Sequence, residues 1–147
     1  MCIACEKRCK CGCQSAAFHF RDNIMSHEVI KELYCPFCSS DITVDPDSMI
    51  VDNGWVIEYD MERIDFYKNK IAAATLTPGV VFDEGYCTWH GMYPGDHHES
   101  VREREEIAAL AKKDPLLYLK TIRSWATERI TRLQREGWRK AMNGSVE

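Results

Sequence analysis

The chain has 147 residues, of which 45% are hydrophobic and 29% are charged, and this composition is typical of a folded domain. Its formal net charge of −4 argues against a basic nucleic-acid footprint covering the whole protein. The sequence contains neither an apolar run of about 18 residues nor the apolar core of a secretory signal, so we expect a cytoplasmic protein without a transmembrane helix.

The first 45 residues form a predicted cysteine-rich, metal-binding module. Seven of the eight cysteines fall within the first 38 residues. In a reducing cytosol such clustering indicates metal binding or redox chemistry and not a disulfide framework. Residues 16–21 predict a short strand. Residues 29–34 predict either a second strand or a helical turn capped by Ser26.

The sharpest motif is the C-x-x-C turn at Cys35 and Cys38, which brings two thiolates close together on a tight knuckle. A tetrahedral site needs a second pair, and three cysteines upstream offer it. Gly12 can close a turn in the left-handed conformation, which favours Cys9 with Cys11, while Cys11 with Cys13 remains the alternative register. The predicted metal ligands are therefore Cys9, Cys11, Cys35 and Cys38, with Cys13 as an alternative ligand.

On these motifs, residues 8–40 resemble a zinc ribbon, in which two cysteine pairs flank a β-hairpin-length segment. Zinc ribbons usually carry C-x-x-C in both halves, whereas the first pair here is C-x-C. The C-P-x-C pair is also similar to half of a rubredoxin site, which binds iron. Because four thiolates suit both metals, zinc is the expected cofactor, and iron or an iron–sulfur cluster is the alternative.

A second metal site is predicted from the remaining cysteines. Cys2 and Cys5 have knuckle-like spacing, and Cys87 with His90 gives a C-x-x-H pair. Together these four residues would make a Cys₃His site. The alternative is that Cys87 is a small buried hydrophobic residue and that Cys2 and Cys5 lie in a frayed terminus.

Residues 46–98 predict a small α/β middle segment. Asn53-Gly54 between two apolar runs predicts a β-hairpin. Asp60 is the expected N-cap of a helix over residues 61–74, which ends at the Thr77-Pro78-Gly79 stretch, and residues 80–82 predict a buried strand. Residues 85–98 form a loop rich in aromatics and histidines. We interpret its aromatics as a small core and His97 and His98 as solvent-facing.

Residues 99–147 predict a pair of helices. A capping box at Ser100 and Glu103 predicts a helix over 101–113, and Asp114-Pro115 predicts a second helix over 115–142. The second helix carries an apolar stripe, which we expect to pack on the rest of the protein: Leu116, Leu119, Ile122, Ala126, Ile130 and Leu133. The predicted fold class is α+β, with a zinc-ribbon-like β module, a hairpin and short-helix middle, and this helix pair.

The charges also bear on partners. Residues 1–97 contain 8 Lys and Arg against 15 Asp and Glu, net −7, and residues 98–147 contain 11 against 8, net +3. We interpret the arginines of the last helix as a solvated face, so we expect neither a nucleic-acid nor a membrane partner. The sequence lacks the nucleophile-elbow, Walker A, dinucleotide and H-E-x-x-H motifs, and we assign no catalytic residue.

These features predict a metal-binding adaptor that binds another protein, with self-association of the long last helix left open. The alternative is a redox, metal-handling or sulfur-handling protein that uses the cysteines in excess of one four-ligand site.

Overall fold

The computed structural model describes the backbone of residues 3–71 and 75–144 and the side chains of residues 5–71 and 75–142. The fold is α+β, as predicted, with two antiparallel three-stranded sheets. The strands are β1 Ile3–Arg8, β2 Ser15–Phe20, β3 Ile30–Tyr34, β4 Met49–Asp52, β5 Trp55–Tyr59 and β6 Thr88–Trp89. The helices are α1 Met61–Asp65, α2 Pro78–Asp83, α3 Asp96–Ala108, α4 Pro115–Glu136 and α5 Arg139–Gly144.

The two sheets divide the N-terminal strands differently from a zinc-ribbon hairpin. In the first sheet the order is β1-β2-β6, and in the second it is β3-β5-β4. Strands β2 and β3 therefore belong to different sheets and do not pair with each other. The segment between the two cysteine pairs is not one hairpin, and β1 is a strand that was not predicted from the sequence.

Two local predictions near β3 and β5 are confirmed. A 3-10 turn over His27–Val29 follows Ser26 and leads directly into β3, so the helical turn and the strand are both present, but the side chain of Ser26 forms no capping hydrogen bond. Strands β4 and β5 pair as a hairpin across Asn53 and Gly54, whose φ angles of 52° and 91° are the positive values that this tight turn requires.

The helix predicted over residues 61–74 is much shorter. Asp60 caps it as expected by accepting a hydrogen bond from the N–H of Arg63, but α1 ends at Asp65. A 3-10 turn over Lys68–Lys70 follows, and residues 72–74 lie outside the described part of the chain. The apolar repeat at spacings of three and four was real, yet it reflects separate short turns that bury Ile64 and Ile71.

The strand predicted over residues 80–82 is wrong. Thr77 accepts a hydrogen bond from the N–H of Val80, and Pro78 occupies the first helical position, so this stretch begins α2 and does not end a helix. A short apolar run is compatible with either a buried strand or a buried helical turn. The Thr77 cap and Pro78 determine that it is a helix here.

The two long helices differ from their predicted bounds at one end each. Helix α3 begins at Asp96, four residues before Ser100, so His97 and His98 are helical and the predicted capping box is not the helix start. Asp114 does cap α4, accepting a hydrogen bond from the N–H of Leu117. Helix α4 then ends at Gly137, whose φ of 90° is left-handed.

The hydrophobic core contains residues from all three predicted segments, from Cys9 to Ala141. Trp89 lies at its centre, fully buried, with ring contacts to Phe18, Trp55 and Phe82. Only part of the predicted α4 stripe reaches this core. Leu133 is fully buried, but Leu116 is 75% exposed, so the N-terminal half of α4 does not pack as predicted.

Charged groups join the C-terminal helices to one another and to the rest of the fold. Arg139 binds Asp83 with two hydrogen bonds of 2.6 and 2.8 Å, and Arg129 pairs with Asp96. Buried Asp52 accepts hydrogen bonds from the indole of Trp89 at 2.7 Å and from the N–H of Arg139 at 2.8 Å. Among the described residues, no helix has both the length and the apolar composition needed to cross a bilayer.

Candidate metal centre

Two loops from different sheets bring four cysteines together. The first is the β1–β2 loop, where Cys9 extends the hairpin by donating its N–H to Gln14 and where Gly12 adopts a φ of 77°. The second is the turn that follows β3. The N–H of Lys10 donates to the carbonyl of Leu33 at 2.7 Å, which places the first loop beside the end of β3.

The sulfur atoms of Cys9, Cys11, Cys35 and Cys38 all lie within 4.8 Å of one another. The Sγ–Sγ distances are 3.2 Å between Cys9 and Cys11, 3.5 Å between Cys11 and Cys35, and 3.6 Å between Cys35 and Cys38. These are the four cysteines that the spacing predicts as ligands, and the structure brings them together. Within the β1–β2 loop, Cys9 and Cys11 are the two cysteines whose sulfurs belong to the cluster.

Backbone N–H groups point at two of these sulfurs. Gln14 donates to the Sγ of Cys9 at 3.4 Å, and Cys35 donates to the Sγ of Cys38 at 3.2 Å. Burial raises the pKa of Cys9, but the hydrogen bond from Gln14 and those with neighbouring cysteines outweigh it and lower the pKa to about 6. Such donors stabilise negative charge on sulfur, the form that binds metal.

The neighbouring thiol responds in the opposite direction. The N–H of Cys13 lowers the pKa of Cys11, but sharing hydrogen bonds with the sulfurs of Cys9 and Cys35 raises it above the ordinary thiol value. Two thiolates at 3.2 Å repel each other, so negative charge on one of these sulfurs opposes it on the other. A divalent cation among the sulfurs would remove this repulsion.

The geometry fits a tetrahedral metal ion. With Zn–S bonds of about 2.3 Å, the sulfurs of a tetrahedral site lie about 3.8 Å apart. The observed contacts of 3.2 to 3.6 Å are slightly shorter, so a small outward movement of the side chains admits the ion. Cys9 and Cys35 are buried, Cys38 is half-buried and Cys11 is exposed, so the cluster contacts solvent mainly through Cys11.

Cys13, the alternative ligand, lies outside this cluster. Its side chain is exposed, and its Sγ lies 4.0 Å from the carbonyl oxygen of Cys11. Cys13 is close to the cluster cysteines in the sequence, but its thiol is exposed to solvent. This makes Cys13 a matched control for the cluster cysteines.

The second site remains a prediction, because Cys2 lies outside the described residues. Within the described part of the chain, Cys9, Cys11, Cys35 and Cys38 are the one group of three or more metal-binding side chains this close together, so Cys5, Cys87 and His90 are not gathered in such a group. Cys87 is fully buried, as its alternative interpretation expected, and burial raises the pKa of its thiol well above the ordinary value. Cys5 is half-buried in β1 and not in a frayed end.

The cysteine cluster also connects the two sheets. The turn after β3 packs on the β4–β5 hairpin, where the hydroxyl of Ser39 donates to the carbonyl of Gly54 at 2.7 Å. A Cβ at Gly54 would lie 3.3 Å from the ring of Pro36, so glycine permits this close approach. A metal ion bound here would hold the β1–β2 hairpin against the β4–β5 hairpin.

The position of Arg104 and Lys140 beside the loop histidines was not predicted from the sequence. The ring of His90 stacks on His97 with centroids 4.1 Å apart, so His97 is not simply solvent-facing as expected. Arg104 and Lys140 line a cavity beside these rings. Arg104 and Lys140 are distant from each other along the chain, and no sequence motif links them to the histidines.

No protein-family model, curated protein or solved structure that was compared with the chain matches it. The resemblance to zinc ribbons therefore rests on the four cysteines and their geometry alone.

Proposed function

We propose that the chain binds one zinc ion through Cys9, Cys11, Cys35 and Cys38, and that this ion has a structural role. The observation that carries the proposal is the convergence of four sulfurs from two sheets within 4.8 Å. Bound zinc would contribute directly to folding, because the unfolded chain does not gather these ligands. Four protein thiolates leave no open coordination position for a substrate, which favours a structural over a catalytic metal.

Cysteine variants test the ligand set. Cys11→Ser removes a ligand from an exposed position and leaves the core intact, and Cys13→Ser is its matched control in the same loop. We expect Cys11→Ser to lose bound zinc and to unfold at a lower temperature, while Cys13→Ser keeps both properties of the parent protein. Equal zinc loss in both variants, or in neither, would contradict the assignment.

We further propose that the protein is an adaptor that binds a partner protein through the hairpin tip, defined as residues 112–123 between α3 and the middle of α4. Three apolar side chains are exposed there: Leu116 by 75%, Leu117 by 46% and Leu119 by 49%. An exposed apolar patch on a helix is typical of a docking surface.

The charge of the hairpin tip favours one kind of partner. It carries Lys112, Lys113, Lys120 and Arg123 against Asp114, net +3. Two copies of this surface would repel each other, whereas an acidic amphipathic helix complements both its charge and its leucines. The proposed occupant is therefore an acidic helical segment of another protein.

A defined probe tests this surface. A synthetic amphipathic helix with leucine at helical spacing and glutamate elsewhere is titrated into the zinc-loaded protein, with a scrambled peptide of equal composition for comparison. We expect saturable binding by the helical peptide only, weakened by salt and abolished in the double variant Leu116→Ser, Leu119→Ser. Phe66→Ser, which alters a side chain 85% exposed elsewhere, is the control.

Two results would overturn the docking proposal. One is equal binding of the helical and scrambled peptides. The other is a stable dimer of the parent protein that the double variant dissociates, since this would assign the surface to a second copy of the chain.

The redox alternative makes its own prediction in the same experiments. If the exposed thiol of Cys13 carries the function, Cys13→Ser would leave the metal and the fold intact but abolish thiol–disulfide exchange with a small disulfide. If exchange by the native protein is no faster than by denatured chain, the redox alternative is excluded.

A further inference from the structure

A cavity of about 470 Å³ lies between the loop after β6, the first turns of α3, the middle of α4 and α5. None of the four cluster cysteines lines it, so a ligand in this cavity would bind independently of the proposed zinc site. A cavity of this size suits a small molecule. Its charged and imidazole side chains come from four separate parts of the chain: His90, Asp96, His97, Arg104, Arg129 and Lys140.

The cavity is positively charged. Arg104, Arg129 and Lys140 supply three positive charges against the single carboxylate of Asp96, which leaves two unbalanced. The carboxylate of Asp96 forms an ion pair with Arg129 and accepts a hydrogen bond of 2.7 Å from the N–H of Met92. Neither Arg104 nor Lys140 forms an ion pair with a carboxylate in the described parts of the chain.

The surroundings of Lys140 destabilise its charged form. Its Nζ donates to the carbonyl of Trp89 at 3.1 Å. Burial lowers the pKa of Lys140, and the more distant carboxylates of Asp96 and Asp52 only partly oppose this effect. An anion in the cavity would restore the stability of the charged form.

His90 also lines this cavity. Its Nδ1 is buried and has no hydrogen-bond partner among the described residues. The ring is fixed by stacking on His97 and by the backbone N–H of His90, which donates to Ala17 at 2.8 Å. Buried polar atoms in folded proteins are almost always paired, so this Nδ1 needs a partner that the described residues do not supply.

We infer that this cavity binds a phosphate group, either the free ion or the phosphate of a small ester. A phosphate dianion, the main form above about pH 6, matches the two unbalanced positive charges. Arginine guanidinium groups bind its oxygens through two parallel hydrogen bonds. Lys140 and the imidazole of His90 supply further donors.

Inorganic phosphate titrated into the full-length, zinc-loaded protein tests this inference, in a phosphate-free buffer at constant ionic strength. The readout is the nuclear magnetic resonance shift of the histidine ring protons. We expect saturable shifts at His90 and His97 with half-saturation below about 1 mM. The exposed His27 should not move and serves as an internal control.

Matched variants locate the site. Arg104→Gln changes an exposed side chain at the cavity rim and should not disturb folding, and Lys140→Gln removes the ammonium beside the carbonyl of Trp89. Each should weaken phosphate binding by about tenfold or more. Arg102→Gln, which removes an exposed arginine of α3 outside the cavity, should leave binding unchanged.

The outcomes separate clearly. Tighter binding of methyl phosphate than of inorganic phosphate would support the inference and assign the cavity to phosphate esters, and the reverse order would support it for the free ion. Absence of saturable shifts at His90 and His97, or equal weakening by Arg102→Gln, would overturn it. Binding of succinate but not of phosphate would also overturn it.

Discussion

Asp52 connects β4 to β6 and to α5, and its replacement by asparagine tests that connection. The carboxylate ends β4, accepts from the indole of Trp89 in β6 and accepts from the first N–H of α5 at Arg139. It is only 3% exposed, so water cannot substitute for a lost partner. An asparagine at this position would present one oxygen and one amide nitrogen. One of the two N–H donors would therefore face another donor.

The expected cost of Asp52→Asn follows from these two contacts. A hydrogen bond to a charged acceptor contributes about 1.5–3 kcal/mol, and a buried donor without a partner costs about 1–3 kcal/mol. Part of this is offset, because burial already raises the pKa of Asp52 and so penalises its charged form. We expect a net loss of about 1–3 kcal/mol in the free energy of unfolding, or about 2–4 °C in melting temperature per kcal/mol.

The assay is urea unfolding of the zinc-loaded protein at pH 7, followed by tryptophan fluorescence and by circular dichroism. Asp47→Asn is the control, because Asp47 is exposed and its side chain accepts no hydrogen bond in the described structure. Equal stabilities of Asp52→Asn and the parent protein would refute the reasoning that Asp52 joins the hairpin to α5.

Two further predictions concern the loop after β6. Gly91→Ala should destabilise the protein more than Gly85→Ala does. Both glycines have positive φ angles, but only at Gly91 would the added Cβ lie 2.8 Å from the Cβ of Asp96. Thermal unfolding of the two variants measures the difference. Burial holds the pKa of His90 below its ordinary value, so the unfolded chain takes up its proton first as the pH falls. The free energy of unfolding should thus fall below about pH 6.5, and less steeply in His90→Gln than in the exposed control His27→Gln. Equal slopes, or equal losses at the two glycines, would contradict these predictions.

The cysteine cluster could be predicted because its information is local. C-x-C and C-x-x-C spacings each define a knuckle, and a tetrahedral metal needs two knuckles. Gly12, with a φ of 77°, favoured the register in which Cys9 and Cys11 belong to the cluster, and the structure groups these two cysteines with Cys35 and Cys38. The Asn53-Gly54 hairpin and the Asp114 cap were predicted for the same reason, since each depends on a few neighbouring residues.

The failures came where distant contacts decide the structure. Strand β6 has two residues and exists only because it pairs with β2. Strand β1 likewise depends on β2, and its own sequence has no clear alternation. The start of α3 at Asp96 is set by the buried contacts of that carboxylate with Met92 and Arg129, and a strong capping-box pattern at Ser100 concealed it.

The phosphate cavity could not have been found from sequence. His90, Arg104 and Lys140 are separated by 14 and 36 positions in the numbering, and no motif joins the three. The loop composition did indicate an unusual segment at residues 85–98. Its chemistry became visible only when α4 and α5 placed Arg129 and Lys140 beside the histidines.

Metal content and the visible spectrum of the protein, purified without oxygen, test the central claim most directly. A structural zinc site predicts a colourless protein with one zinc ion per chain at Cys9, Cys11, Cys35 and Cys38. A second zinc ion would add the predicted site at Cys2, Cys5, Cys87 and His90 without altering the first. Iron with visible absorption, or a folded protein that takes up no metal, would contradict the structural zinc site.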